Sequence, residues 1–182
     1  MSRLSVPTLD EMTAEQRAVY DATVAGRRGR TPANVMAWLH SPELASRAQQ
    51  LGEFVRYNTT LSPRLSELAI LLVARQWTSQ YEWAVHSGEA VRAGLPAHII
   101  NAIASRATPQ FESAEEQALF DFSTALLDTH QVPNGVYANA VGALGERATV
   151  ELVGILGYYT LVAMTLNGFA IDPPAGSRAL AP

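Results

Sequence analysis

Apolar positions recur at three- and four-residue spacing almost from end to end of the chain, while the period-two alternation of strands hardly appears. Leu65, Leu68, Ala69, Leu72 and Val73 repeat in this way, giving one apolar face to a helix that opens at Ser62 and Pro63. Thr13 with Gln16 is a capping-box pair for a helix from Ala14 to Ala25, and Gly26 can stop it. A turn-rich link from Gly29 to Pro32 leads into a short apolar helix around Asn34 to Leu39. Ser41 and Pro42 then supply an N-cap and a first-turn proline for Glu43 to Tyr57. An unbroken helix from Pro63 to Ala93 would be unusually long; Thr78 with Ser79 offers a break, so two helices are predicted. Gly94 ends the second, and Pro96 opens another that runs to about Ser105. Ser113 with Glu116 caps a helix through Leu127, Pro133 to Gly135 is a turn, and Gly145 stops the helix after it. The last helix, about Arg147 to Leu166, is apolar all round and is expected to be packed on every side.

About eight helices without strands make the fold class all-α. The length of 182 residues suits one compact domain. Within it, 11–60 forms an N-terminal helical part and 62–169 the core, while 172–182, rich in proline, glycine and alanine, reads as a loose tail.

Composition narrows the chemistry. All 13 basic residues are arginine, which removes Schiff-base, pyridoxal-phosphate and P-loop mechanisms because each needs a lysine. The net charge is −4 and the only basic block is Arg27, Arg28 and Arg30, so nothing suits a nucleic-acid backbone. Cysteine is absent, which excludes disulfides, thiolate nucleophiles, cysteine zinc sites and iron–sulfur clusters. Met1 to Gln16 has no continuous apolar stretch and does not read as a secretory signal, so a cytoplasmic location is expected. Leu152 to Leu166 falls short of the roughly 20 apolar residues that cross a bilayer, and no membrane partner is expected. Only 16% of residues are charged, against roughly 25% in typical soluble domains, and the spare apolar surface points to burial between subunits.

The densest polar cluster is Arg75, Gln76, Thr78, Ser79, Gln80, Glu82 and His86. On a helix, Ser79, Glu82 and His86 share one face, and Glu82 lies one turn before His86, so a carboxylate and an imidazole are expected to touch. Such a pair can move protons near neutral pH. Glu67 is a lone acid inside the apolar run from Leu65 to Val73: either it points to water, with Arg75 beside it, or it is buried for a reason. Plainer readings compete. Ser79 and Glu82 are spaced as a capping box, and on spacing alone that reading is the stronger. Glu82 and His86 could be a solvated pair worth a few tenths of a kcal/mol. Glu67, Glu82 and His86 could also be three metal ligands, a weaker idea with one histidine among them.

The stretch from Arg75 to His86, Arg-Gln-Trp-Thr-Ser-Gln-Tyr-Glu-Trp-Ala-Val-His, followed by Ala-Gly-Leu-Pro at 93–96, resembles the signature of the carboxymuconolactone decarboxylase-like family. That family also contains the disulfide-type alkyl hydroperoxidases. Leu-His-Ser-Pro-Glu-Leu at 39–44 and Leu-Ser-Glu-Leu-Ala-Ile at 65–70 are similar to its longer members, and the resemblance runs from about Glu11 to Phe169. It implies an alkyl-hydroperoxidase-D-like helical fold assembled as a homotrimer or homohexamer. The peroxidase pattern of a glutamate, two cysteines and a histidine falls on Glu67, Ser79, Glu82 and His86, so both sulfurs are missing. Disulfide-based peroxide reduction is excluded, since serine and glutamate cannot pass through a sulfenic acid.

The decarboxylase side of the family implies cofactor-free acid–base chemistry on a small carboxylated lactone or related organic acid. His86 would be the proton carrier, Glu82 would set its tautomer, and Glu67 would be a second carrier or a hydrogen-bond partner. Arg75 would clamp a substrate carboxylate. Ser79, Tyr81, Trp83 and His40 are further candidates for the substrate pocket, although Trp83 also suits a core and His40 an ordinary surface position. The N-terminal part, which exceeds the length of dedicated decarboxylases, is expected to reshape or cover that pocket. Two other readings stay open: a non-catalytic scaffold that binds a ligand, and a metal-dependent enzyme at Glu67, Glu82 and His86.

Overall fold

A computed structural model describes residues 2–177 and 179–181. Among them the chain forms nine helices: α1 Ala14–Ala25, α2 Ala33–Trp38, α3 Pro42–Tyr57, α4 Pro63–Gln76, α5 Gln80–Arg92, α6 Ala97–Ala104, α7 Ala114–Thr129, α8 Asn134–Leu144 and α9 Glu146–Gly168. There is no strand in the described residues, and the domain is all-α as expected. The predicted caps at Thr13, Ser62 and Ser113 accept the backbone N–H groups of Gln16, Leu65 and Glu116.

Helix α4 is the axis of the fold. Every residue from Leu65 to Arg75 is buried, because α5, α7 and α9 cover it on several sides and α6 adds to the cover. The apolar stripe at 65, 68, 69, 72 and 73 is therefore only one of its buried faces. Expectation and structure part at α9, which is not enclosed on every side. Val150, Val153 and Met164 are 72%, 45% and 53% exposed and form an apolar outer edge, while Leu152, Ile155, Tyr159 and Leu166 face inward. Of the described helices only α9 is long and apolar enough to cross a membrane, and most of it is buried in this fold.

The junction of α4 and α5 falls where Thr78 and Ser79 placed it. Thr78 takes a left-handed φ of 44°, which a β-branched residue adopts only when held. Arg75 Nη1 and Arg106 Nη2 both donate to its Oγ1, at 3.4 and 3.3 Å. The N-terminal part is fastened to α9 through Trp38, whose Nε1 donates to Thr165 Oγ1 at 2.8 Å and whose ring meets Tyr158 edge-on. Asn34 and the arginines of the α1–α2 loop border the same cavity as Tyr81 and Glu82 of α5.

The tail is more ordered than its composition suggested, although Arg178 and Pro182 of the expected loose segment lie outside the described residues. Gln80 clasps Leu180 from both sides, accepting its N–H and donating to its carbonyl at 2.8 Å each. Leu180 is buried, and Arg75 donates to the Ala181 carbonyl at 2.7 Å.

Candidate active site

Glu67 projects from the middle of α4, where its neighbours leave it 3% exposed. A carboxylate taken out of water needs partners, and it has two. Arg56 from α3 donates to Oε1 in a charge-assisted bond, and His86 Nδ1 from α5 lies 2.9 Å from Oε2. Glu89 stands 3.8 Å from the other arm of Arg56. With Nδ1 donating to Glu67, the His86 ring carries its lone pair at Nε2, which has no hydrogen-bond partner among the described residues. The ring lies edge-on to Tyr159 with centroids 5.1 Å apart. Burial lowers the pKa of His86, and the nearby Arg56 and Arg28 lower it further against the pull of Glu67. The imidazole is thus neutral near pH 7.

Glu82 sits one turn before His86 but does not orient it. Both of its oxygens are buried without a hydrogen-bond partner. Burial pushes its carboxyl up to about 8; the Ser79 hydroxyl opposes this weakly, from outside hydrogen-bond geometry. Glu82 is therefore a neutral acid at pH 7. The expected Glu82–His86 pair is replaced by a Glu67–His86 pair across two helices, because burial favours the partner that also neutralises Arg56.

Glu82, His86 and Arg56 line one cavity of about 240 Å³, and Glu67 stands behind His86 and Arg56. Glu82, Val85, His86 and Glu89 of α5 form one wall, and Tyr158, Tyr159 and Val162 of α9 form another. The mouth carries Arg27, Arg28, Arg30 and Arg56. Arg27 donates to the Tyr57 carbonyl and stacks on its ring, and Arg28 donates to the Gly52 carbonyl. Among the described residues neither these two nor Arg30 pairs with a carboxylate. A protein of net charge −4 thus holds a positively charged entrance, suited to an anionic ligand.

Several expected site residues lie elsewhere. Arg75 does not reach Glu67; it holds Thr78 and the tail at the far end of α4. Ser79 is the N-cap of α5, yet its hydroxyl makes no cap bond, so the capping-box reading of Ser79 and Glu82 does not hold either. It is fully buried and does not line the cavity. Trp83 belongs to the core. His40 is exposed and bonds the Ser5 carbonyl at 2.7 Å, the ordinary surface role. Tyr81 does line the cavity. No group of three or more histidine, aspartate or glutamate side chains among the described residues is arranged to hold a metal ion, so Glu67, Glu82 and His86 do not form the ligand set considered for them.

Arg56, Asn34, Tyr158, Tyr159 and the arginine triplet line the cavity without having been anticipated as site residues. The triplet was visible as the one basic block of the chain. The tyrosine pair was visible as two polar tips inside an otherwise apolar helix, a pattern that usually means packing.

Residues 42–124, spanning α3 to most of α7, match the carboxymuconolactone decarboxylase family. No curated protein matches the chain. Several solved structures share its fold, three of which follow. A peroxidase-related protein of Silicibacter sp. TM1040 is 13% identical with a TM-score of 0.77, over 97% of this chain and 93% of that one. An alkylhydroperoxidase AhpD-core protein of Ralstonia eutropha JMP134, also peroxidase-related, is 14% identical with a TM-score of 0.77, over 96% and 93%. An Agrobacterium tumefaciens protein of unknown function, provisionally assigned to antioxidant defence as an AhpD, is 19% identical with a TM-score of 0.67, over 76% and 95%. Residues 42–124 are thus similar to the carboxymuconolactone decarboxylase family, the fold is shared with these structures, and the sequence holds no cysteine.

Proposed function

We propose that the chain is a cytoplasmic, cofactor-independent acid–base enzyme acting on a small carboxylated lactone or a related organic acid. The observation that carries the reading is the separation of two proton-bearing groups in one cavity. Burial holds Glu82 neutral and favours the neutral form of His86, whose lone pair is left at Nε2 because Nδ1 donates to Glu67. The arginine mouth supports an anionic substrate, a role now given to Arg27, Arg28 and Arg30 in place of Arg75.

Loss of carbon dioxide from such a lactone breaks the carbon–carboxylate bond, leaves its electron pair shared with the lactone carbonyl, and consumes one proton at carbon. The Glu82 carboxyl supplies that proton, and His86 Nε2 relays its replacement from solvent. Run in another order, with His86 taking a proton from carbon and Glu82 returning one elsewhere, the same pair isomerises the ring. The Glu67–His86 bond favours this reading over a ligand-binding scaffold, because passive binding does not require a fixed tautomer. The apolar edge of α9, with Leu44 and Leu51 exposed on α3, supports self-association as a trimer or hexamer, which sedimentation of the purified protein checks.

The test is carbon dioxide release and ultraviolet change with carboxymuconolactone, for the wild type and His86→Ala at matched assembly state. Turnover lost in the variant is expected. Absence of turnover in the wild type removes this substrate, and equal turnover in both removes His86 from the mechanism.

A further inference from the structure

Resting on that reading, we propose that Tyr159 is a further catalytic residue, whose hydroxyl donates a hydrogen bond to the substrate carbonyl oxygen that gains negative charge during the reaction.

Tyr159 lies on α9, outside the segment that matches the family, and lines the cavity beside His86. Its ring packs edge-on against the imidazole at 5.1 Å, so its position is fixed relative to the proton-carrying group. Burial this deep normally demands a partner for a phenol, yet its hydroxyl makes no hydrogen bond to another described residue. The neighbouring Tyr158 hydroxyl is sealed off against Gly52, where even a Cβ would collide with it. The Tyr159 hydroxyl is not sealed in this way and keeps contact with the cavity.

The surroundings suit a donor to an oxyanion. Arg56 and Arg28 are the cations whose fields reach the Tyr159 hydroxyl, and burial keeps the phenol protonated well above neutral pH. A fixed neutral donor flanked by guanidinium groups stabilises charge as it develops. Breaking the carbon–carboxylate bond sends its electron pair into the lactone carbonyl, making an enolate and free carbon dioxide. Tyr159 donates to the enolate oxygen without releasing its proton, and protonation at carbon restores the carbonyl. No oxidant or reductant takes part. The substrate class is thereby narrowed to acids bearing a carbonyl conjugated to the reacting carbon.

The test uses two unreactive acids, 5-oxotetrahydrofuran-2-carboxylate and tetrahydrofuran-2-carboxylate, which share ring and carboxylate and differ by the carbonyl. Calorimetric affinities are measured for the wild type and Tyr159→Phe, a change that keeps the ring against His86. The wild type is expected to prefer the oxo acid by roughly fivefold to tenfold, the worth of one neutral hydrogen bond, and the variant to bind both acids alike. A preference that survives in Tyr159→Phe, or is absent from the wild type while both acids bind, overturns the role of Tyr159 and leaves the organic-acid pocket standing. If neither acid binds the wild type, the organic-acid reading itself fails and this inference fails with it.

Discussion

Two cavities of similar size among the described residues differ in a way that shows what marks a site. One, of about 270 Å³, lies beside Arg75, Gln76 and Arg106; the other, of about 240 Å³, lies before Glu82 and His86. In the first, the arginines are spent on the chain itself, holding Thr78 and the Ala181 carbonyl, and Gln76 reaches the Leu127 carbonyl. In the second, Glu82 and Asn34 hold buried polar atoms without a partner, and three arginines at the mouth pair with no carboxylate among the described residues. Volume does not separate the two. Unspent polar capacity does, because folding alone rarely leaves such groups unsatisfied.

That contrast can be broken by substitution. His86→Ala should have the largest effect, cutting kcat on carboxymuconolactone by about 10³-fold with a smaller change in KM, as steady-state kinetics would read. Glu67→Gln should follow. It loosens the tautomer of His86 and takes from Arg56, which is 17% exposed, the nearer of its two carboxylates, so kcat should fall by about 10²-fold and urea unfolding should show a loss of about 3 kcal/mol.

Glu82→Gln sharpens the contrast through pH. The folded pKa of Glu82, about 8, lies above its ordinary 4.5, so the folded protein binds the proton more tightly than the unfolded chain. Glu82 therefore favours folding below its unfolded pKa and loses that advantage as pH rises toward 8. The melting-temperature gap between Glu82→Gln and wild type should widen in favour of the variant from about pH 4.5 to 8, then level off. A gap that stays constant over that interval would place Glu82 in contact with water.

Smaller still is Gly52→Ala, which forces a Cβ against the Tyr158 hydroxyl and should cost about 2 kcal/mol on thermal or urea unfolding. The smallest effect on the site should come from Arg75→Gln. It frees the tail at Ala181, yet should leave the affinity for 5-oxotetrahydrofuran-2-carboxylate within about twofold, since the two regions share no partner.

Most of the helices were legible because capping pairs, prolines and glycines act locally, and the break at Thr78 and Ser79 is the clearest case. Burial of α4 against the exposed edge of α9 was not, since both helices are apolar and only tertiary contacts decide which is enclosed. Within the site, His86, Glu67, Glu82 and Tyr81 could be named from sequence, but the partner of His86 could not. Helical spacing points to Glu82, while the bond that forms crosses from α4 to α5 and depends on Arg56, a residue on a third helix. Arg75 was misplaced for a related reason: it stands two turns beyond Glu67 on α4, and the side chains that compete for it, Thr78 and the tail, come together only in the folded chain.

The central claim is that burial keeps Glu82 protonated in a cavity where His86 is neutral. It is tested most directly by following the Glu82 carboxyl carbon in a ¹³C NMR titration of the intact protein, assigned by its disappearance in Glu82→Gln. The account predicts a midpoint near 8. A midpoint near the ordinary glutamate value of 4.5 would contradict it, leaving the cavity without its proton donor.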